Sequence, residues 1–135
     1  MPHMRRTARM DGLHEILEFI DAGARESGFS EQARGRIRLA AEEALVNVIL
    51  HAYRGAEGPV DVSWEKTPEQ ALVVEIRDQG IAFDPLEVEK PDTGVGLEER
   101  KVGGLGIFFI REVTDRVQYR RDGAENVLTL EFMTA

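Results

Sequence analysis

The chain has no cysteine among its 135 residues. It therefore has neither a disulfide framework nor a thiolate nucleophile. It also lacks any run of 18 apolar residues and any signal-peptide pattern, so we expect a cytoplasmic protein with no membrane anchor. Its three histidines, His3, His14 and His51, do not have the spacing of zinc ligands.

Positive charge is also scarce, with 17 Lys and Arg residues against 25 Asp and Glu and a net charge of −8. This balance argues against direct binding to a nucleic-acid backbone and is compatible with basic protein partners. The hydrophobic fraction of 42% is ordinary for a globular protein. The length suits one hydrophobic core, so we expect a single domain over residues 1–135.

One segment, Ile37–Tyr53, has the apolar spacing of a helix that packs against a core. On its flank Glu43, Asn47 and His51 are four residues apart and are expected to stack, whereas Glu42 points elsewhere. A carboxylate and an amide aimed at one place suit a hard metal ion and a proton acceptor. A solvated helix edge is the plain alternative. The apolar positions are Ile37, Ala40, Ala41, Ala44, Leu45, Val48, Ile49 and Ala52.

The segment Ala71–Asp78 alternates like a half-buried strand. Its inward positions Leu72, Val74 and Ile76 have the same parity as Asp78. Because an unpaired buried charge is expensive, the Asp78 carboxylate is expected to have a partner.

A glycine-rich turn, Val102–Ile107, runs into an apolar pattern typical of a helix. Backbone N–H groups at such a helix start favour anions, and glycine lets a phosphate approach closely. Flexible loops and helix C-caps use the same residues. The turn is neither a Walker loop nor a dinucleotide fingerprint, because the residues that each requires are missing.

Taken in order, three segments resemble the N, G1 and G2 boxes of the GHKL (Bergerat) ATP-binding fold. They are Glu42–Tyr53, Asp78–Pro85 and Gly103–Ile107. Within that fold the chain is most similar to the anti-sigma-factor serine/threonine kinases of the RsbW and SpoIIAB type. The resemblance runs from about Leu13 to Phe132, and its specificity lies in the order and spacing of the boxes.

The resemblance implies ATP and Mg²⁺ as cofactors and a role for each site residue. Asn47 would hold Mg²⁺ against the ATP phosphates, and Glu43 would orient or deprotonate the attacking hydroxyl. Asp78 would accept a hydrogen bond from the adenine amino group, with Gly80 giving the base room. The turn that would line the phosphates consists of Gly103, Gly104, Leu105 and Gly106.

Two positions depart from the pattern of the fold. Ala82 stands where many GHKL proteins have a second glycine, although the anti-sigma kinases often lack it too. Val102 stands where some members have an arginine that meets the γ-phosphate. Arg100 or Lys101 could replace it, or both could lie in a solvated loop. The polar segment Glu87–Val102 occupies the place of an ATP lid and is expected to be mobile.

The remaining patterns predict a two-layer α/β sandwich with a mostly antiparallel sheet and helices on one face. The spacing of Leu13, Ile16, Leu17 and Ile20 predicts a first amphipathic helix that ends near Ser27-Gly28. Ser30 is expected to cap the second helix. Further strands are predicted at Val60–Trp64, Val117–Arg121 and Val127–Phe132.

These observations favour an ATP-dependent serine/threonine protein kinase that is also an anti-sigma regulatory factor. The resemblance implies a homodimer that holds a sigma factor, or another regulatory protein, and phosphorylates a STAS-domain antagonist. One alternative is a non-catalytic, nucleotide-gated interaction module, but such a switch has no need of Glu43 beside Asn47. Two others are a detached ATP-binding domain of a histidine kinase, with His14 as nearest phosphoacceptor, and a small α/β domain without a ligand.

Overall fold

The computed structural model of the chain describes residues 1–54, 56–87 and 110–134. Two α-helices occur there, α1 (Leu13–Glu26) and α2 (Glu31–Asn47), and α2 continues into a π-helical turn at Val48–Ala52. Short 3-10 turns lie at Met10–Gly12 and Pro85–Glu87, and residues 110–113 are helical. No helix among the described residues is long and apolar enough to cross a lipid bilayer. The strands are β1 (His3–Thr7), β2 (Pro59–Lys66), β3 (Ala71–Asp78), β4 (Arg116–Asp122) and β5 (Glu125–Met133).

The five strands form one sheet in the order β1-β2-β3-β5-β4, and every neighbouring pair is antiparallel. The register places Val62 opposite Ile76, and Val74 opposite Leu130. It also places Asp78 opposite Asn126 on β5. The chain has the predicted fold class, and the hairpin of β4 and β5 is confirmed.

The core lies between one face of the sheet and the two helices. Because strand side chains alternate between faces, this face takes every second residue of β2, β3 and β5. The helices contribute the apolar stripes that their spacing predicts. The fully buried large side chains of this core are Ile16, Ile20, Leu45, Val60, Val62, Leu72, Val74, Ile76, Ile110 and Leu130.

The helix boundaries follow the local signals in the sequence. The Ser30 hydroxyl accepts a hydrogen bond from the Ala33 N–H at 3.2 Å, so the predicted N-cap of α2 is confirmed. After α1, Gly28 adopts a left-handed conformation with φ +87°, which glycine accepts without steric penalty. The turn is closed by the Phe29 N–H, which donates to the Ala24 carbonyl at 3.1 Å.

Strand β1 was not predicted, because its side chains carry no alternating apolar pattern. Met4 is half-buried and the other four residues are exposed. The strand is held by main-chain pairing with β2 and by the buried Asp61 carboxylate. Asp61 accepts from the His3 ring at 3.1 Å and from the Arg5 guanidinium at 3.3 Å. A polar edge strand of this kind is fixed by its neighbour and not by its own sequence.

The end of the second predicted helix also differs from expectation. The α-helical hydrogen-bond pattern stops at Asn47 and the next turn is π-helical. Its i→i+5 bonds widen the turn that carries His51, and the stacking of His51 on Glu43 and Asn47 stays a prediction. The centroid of the His51 ring lies 6.4 Å from that of the Phe83 ring.

Candidate nucleotide site

The Asp78 carboxylate sits at the end of β3 and is only 5% exposed. Its Oδ1 atom accepts hydrogen bonds from the Gly80 N–H and from Asn126 Nδ2, both at 2.9 Å. The expectation that this charge has a partner is therefore confirmed. Its Oδ2 atom has no hydrogen bond to any other described residue, which leaves one carboxylate oxygen able to accept from a ligand.

A pocket opens beside Asp78, between α2, the π-helical turn and the sheet. Its walls are mainly apolar, with the polar groups of Asp78, Asn126 and Asn47 among them. Apolar walls with a few placed polar groups are typical of small-molecule sites. The remaining lining residues are Ala44, Val48, Ala52, Ile76, Phe83, Pro85, Tyr119 and Leu128.

Of the two predicted residues on α2, only Asn47 is among the residues that line this pocket. Glu43 is one turn earlier on the same helix, about 6 Å along the axis. Glu43 is half-buried and makes no hydrogen bond or ion pair with another described residue. Asn47 thus places an amide in the pocket wall, and the Glu43 carboxylate lies one turn away along α2.

The π-helical turn is clamped to the segment that follows β3. The Ala52 carbonyl accepts from the Ile81 N–H at 3.0 Å, and a Cβ atom on Gly80 would overlap that carbonyl. Glycine at position 80 is thus required by packing against the turn, a reason that the sequence did not reveal. The clamp sets the distance between the α2 side and the Asp78 side of the pocket.

Tyr53 joins the same two segments to β2. Its hydroxyl donates to the Pro59 carbonyl at 2.5 Å and accepts from the Gln79 N–H at 2.7 Å. Burial raises the pKa of the Tyr53 hydroxyl above its ordinary value, because the anion would lose solvation. The neutral hydroxyl, which both donates and accepts, is therefore favoured in the folded protein.

Asn126 is a residue of the pocket that the sequence interpretation missed. Its amide donates to Asp78 and lies in the pocket wall. The sequence did indicate that Asn126 faces inward, because Asn126 has the same parity on β5 as the buried Leu128 and Leu130. The same argument that singled out Asp78 would have found it.

Several predicted residues lie outside the described part of the chain. These are the phosphate-turn residues Gly103, Gly104, Leu105 and Gly106, the basic pair Arg100 and Lys101, Val102, and the lid after residue 87. His14 is on the exposed side of α1, where its Nδ1 atom lies 3.1 Å from an Arg38 guanidinium nitrogen.

The strands and helices of this chain are arranged as in a known class of nucleotide-binding domain. Residues 7–132 match the histidine kinase-like ATPase domain family, and the chain belongs to that family. The family is one of ATPase domains, so this chain is an ATP-using domain.

Among named proteins, the chain is similar to serine-protein kinases of the RsbW type. It is 35% identical to the serine-protein kinase RsbW of Listeria monocytogenes over 113 residues, 78% of this chain and 71% of that protein. It is 27% identical to the serine/threonine-protein kinase BtrW of Bordetella bronchiseptica over 86% of this chain and 82% of that one.

Solved structures share the fold. The RsbU and RsbW domains of a Mycobacterium tuberculosis protein superpose with a TM-score of 0.63 at 12% identity, over 98% of this chain and 32% of that one. A blue-light activated histidine kinase of Erythrobacter litoralis superposes with a TM-score of 0.59 at 18% identity, over 90% of this chain and 40% of that one. The chain thus spans less than half the length of these two proteins.

Proposed function

We propose that this chain transfers the γ-phosphoryl group of ATP to a serine or threonine hydroxyl on a partner protein. The observation that carries the proposal is the order of three side chains across one site. Asp78 lines the pocket with one oxygen that accepts no hydrogen bond from the described residues, and Asn47 lines the α2 wall. Glu43, which has no partner among the described residues, lies one turn beyond. Base recognition, phosphate binding and proton acceptance require this order.

At the inner end, Asp78 Oδ2 would accept a hydrogen bond from the 6-amino group of adenine. A hydrogen bond to a charged acceptor in an apolar pocket is strong and directional. The phosphates would then extend toward Asn47, with Gly103, Gly104, Leu105 and Gly106 proposed to line them. Gly80 would also leave space for the base, in addition to its contact with Ala52.

The donor set at this site fits Mg²⁺ held mainly by phosphate. The described residues contain no group of three or more His, Cys, Asp or Glu side chains able to hold a metal by themselves. Asn47 offers a single amide oxygen, which matches an ion that takes its other ligands from phosphates and water. Mg²⁺ held there would neutralise negative charge on the phosphates.

Glu43 would act on the acceptor hydroxyl. As that oxygen bonds to the γ-phosphorus, the bond from phosphorus to the bridging oxygen of ADP breaks, and the hydroxyl proton passes to the Glu43 carboxylate. The products are a phosphoserine or phosphothreonine and ADP. Such transfers depend mainly on positioning and charge stabilisation, with the carboxylate orienting the nucleophile.

The similar kinases support a regulatory role in which the substrate is itself a regulator. We propose a cytoplasmic, single-domain protein that forms a homodimer and inhibits a sigma factor or another regulatory protein. Its substrate would be a STAS-domain antagonist. A phosphate on that partner adds negative charge, which would be repelled by a chain of net charge −8.

Calorimetry with Mg-ATP tests the nucleotide site. Wild-type protein should bind, and bound ATP should raise the melting temperature, because it stabilises only the folded state. Asp78→Asn should weaken ATP binding with or without Mg²⁺. Asn47→Ala should weaken only the Mg²⁺-dependent part. Absence of ATP binding by the wild type would overturn the proposal.

Substitution of two adjacent carboxylates, one at a time, tests the catalytic step. Glu43→Gln keeps the shape and removes the base, so phosphoryl transfer should fall by about 10²–10⁴-fold while ATP affinity changes little. Glu42→Gln is the matched control, since Glu42 is one residue away on another side of α2. Equal transfer by wild type and Glu43→Gln would instead favour a nucleotide-gated module without catalysis.

A further inference from the structure

The Asn126 side chain is the most heavily hydrogen-bonded group at the pocket, and it is only 6% exposed. Its Nδ2 atom donates to Asp78 Oδ1 at 2.9 Å and to the Ile81 carbonyl at 2.7 Å. Its Oδ1 atom accepts from three donors, namely the Tyr119 hydroxyl at 2.5 Å, Arg121 at 3.1 Å and the Phe83 N–H at 3.3 Å.

These donors fix which way the amide faces. A guanidinium has no acceptor atom and a main-chain N–H can only donate. The Asn126 atom that faces Arg121 and Phe83 must therefore be the oxygen, and the nitrogen must face Asp78. Arg121 is itself held by the Gly80 carbonyl, to which it donates at 3.0 Å. The amide orientation is thus set from the β4 side of the pocket.

The orientation of Asn126 in turn restricts Asp78. Two N–H groups, from Asn126 and Gly80, both donate to Asp78 Oδ1. Rotation of the carboxylate would break both hydrogen bonds in a buried place, which is unfavourable. Because no described residue donates to Oδ2, Oδ2 stays the oxygen available to a ligand. In an ionised carboxylate this oxygen accepts hydrogen bonds and donates none.

We propose that Asn126, oriented by Tyr119 and Arg121, is the positioning residue that makes this pocket select a 6-amino purine. A purine with a 6-amino group donates to the fixed Oδ2 atom. A 6-oxo purine presents a second acceptor to it, and a purine without a 6-substituent leaves it unpaired. This inference rests on the proposed binding of ATP and extends it to the residue that determines base selectivity.

The test uses calorimetry to compare the affinities of three nucleotides: ATP, inosine triphosphate and purine riboside triphosphate. Wild type should prefer ATP to either analogue by about 10- to 100-fold, the range for a hydrogen bond to a charged group. In Asn126→Ala this preference should fall to within about 3-fold, as in Asp78→Asn. The ratio of the affinities is the informative quantity, because a merely structural loss would weaken the binding of all three nucleotides alike and leave the ratio unchanged.

Two milder variants keep the test valid if Asn126→Ala folds poorly. Tyr119→Phe and Arg121→Met each remove one donor to Asn126 and should each reduce the preference for ATP. Arg120→Met is the matched control, since Arg120 is the neighbouring exposed residue on the opposite face of β4, and it should keep the wild-type ratio.

Separate outcomes test the inference and the proposed function. An Asn126→Ala protein that folds and keeps the full preference for ATP, while Asp78→Asn loses it, would overturn the inference alone. A wild-type protein that binds none of the three nucleotides would overturn the proposed function and the inference with it.

Discussion

Gly80 lets two parts of the chain touch directly at the base of the pocket. Gly80→Ala should lower the free energy of unfolding by about 1–3 kcal/mol, because the added methyl would overlap the Ala52 carbonyl. Gly35→Ala is the control, since nothing lies near its Cβ position in α2, and it should raise stability by about 0.5–1 kcal/mol. Urea unfolding measures both. A Gly80→Ala protein as stable as wild type would contradict the clamp.

Tyr53 holds the same region through its hydroxyl group. Tyr53→Phe removes the hydrogen bonds to Pro59 and Gln79 in a half-buried place, so stability at neutral pH should fall by about 1–3 kcal/mol. Thermal unfolding at pH 7 measures this change. No loss would mean that water replaces the hydroxyl without penalty.

The raised pKa of Tyr53 also predicts a pH effect with a definite sign. The folded state holds this proton more tightly than the unfolded state, whose tyrosine titrates near its ordinary value of about 10. Stability from this group is therefore complete below about pH 10 and is lost as pH rises toward the folded pKa. Tyr53→Phe should show a smaller alkaline loss of stability than wild type. If wild type and Tyr53→Phe lost stability equally as the pH rises, Tyr53 would not contribute to the alkaline loss of stability.

At the level of single residues, strand parity was the strongest predictor of the site. It marked Asp78 because that carboxylate falls in line with Leu72, Val74 and Ile76, and the buried position is confirmed. It would equally have marked Asn126. Parity could not predict that Asp78 and Asn126 pair, because their pairing depends on β3 and β5 being neighbours in the sheet.

At the level of elements, the contact between α1 and β2 depends on a small residue. A Cβ atom on Gly23 would overlap the Trp64 ring, which is 8% exposed. Gly23→Ala should therefore push the helix from the sheet and lower stability by about 1–3 kcal/mol, despite the better helix propensity of alanine.

The fluorescence of Trp64 and urea unfolding report this change together, with Gly35→Ala again as the control. Since Trp64 is the one tryptophan of the chain, its emission should shift to longer wavelength as the ring becomes more exposed. Unchanged emission and stability in Gly23→Ala would show that α1 and β2 have room to accommodate the methyl group.

The second helix illustrates what periodicity can and cannot predict. Its apolar stripe gave the buried face correctly, including Ala40, Ala41, Ala44 and Leu45. The change to a π-helical turn after Asn47 was not visible, because it is fixed by the contact of Ala52 with Gly80 and Ile81. A tertiary contact decided the local structure, as it did for the polar edge strand β1.

At the level of the whole molecule, the site is assembled by the sheet order. Asp78 and Asn126 are 48 positions apart in sequence and meet because β3 pairs with β5. Helix α2 lies across the same face and brings Asn47 to the pocket. The order of the three boxes in the sequence was enough to predict the fold class, since that order is a property of the fold. The chemistry at Glu43 depends on a bound nucleotide and an acceptor, and therefore requires a direct test.

That test is phosphosite mapping by mass spectrometry after incubation of the full chain with Mg-ATP and candidate STAS-domain proteins. Wild type should place one phosphate on a serine or threonine of the partner, and Glu43→Gln should slow this transfer by about 10²–10⁴-fold without loss of ATP binding. Phosphate on His14 or His51 of this chain, or a partner left unmodified by a protein that binds ATP, would contradict the account.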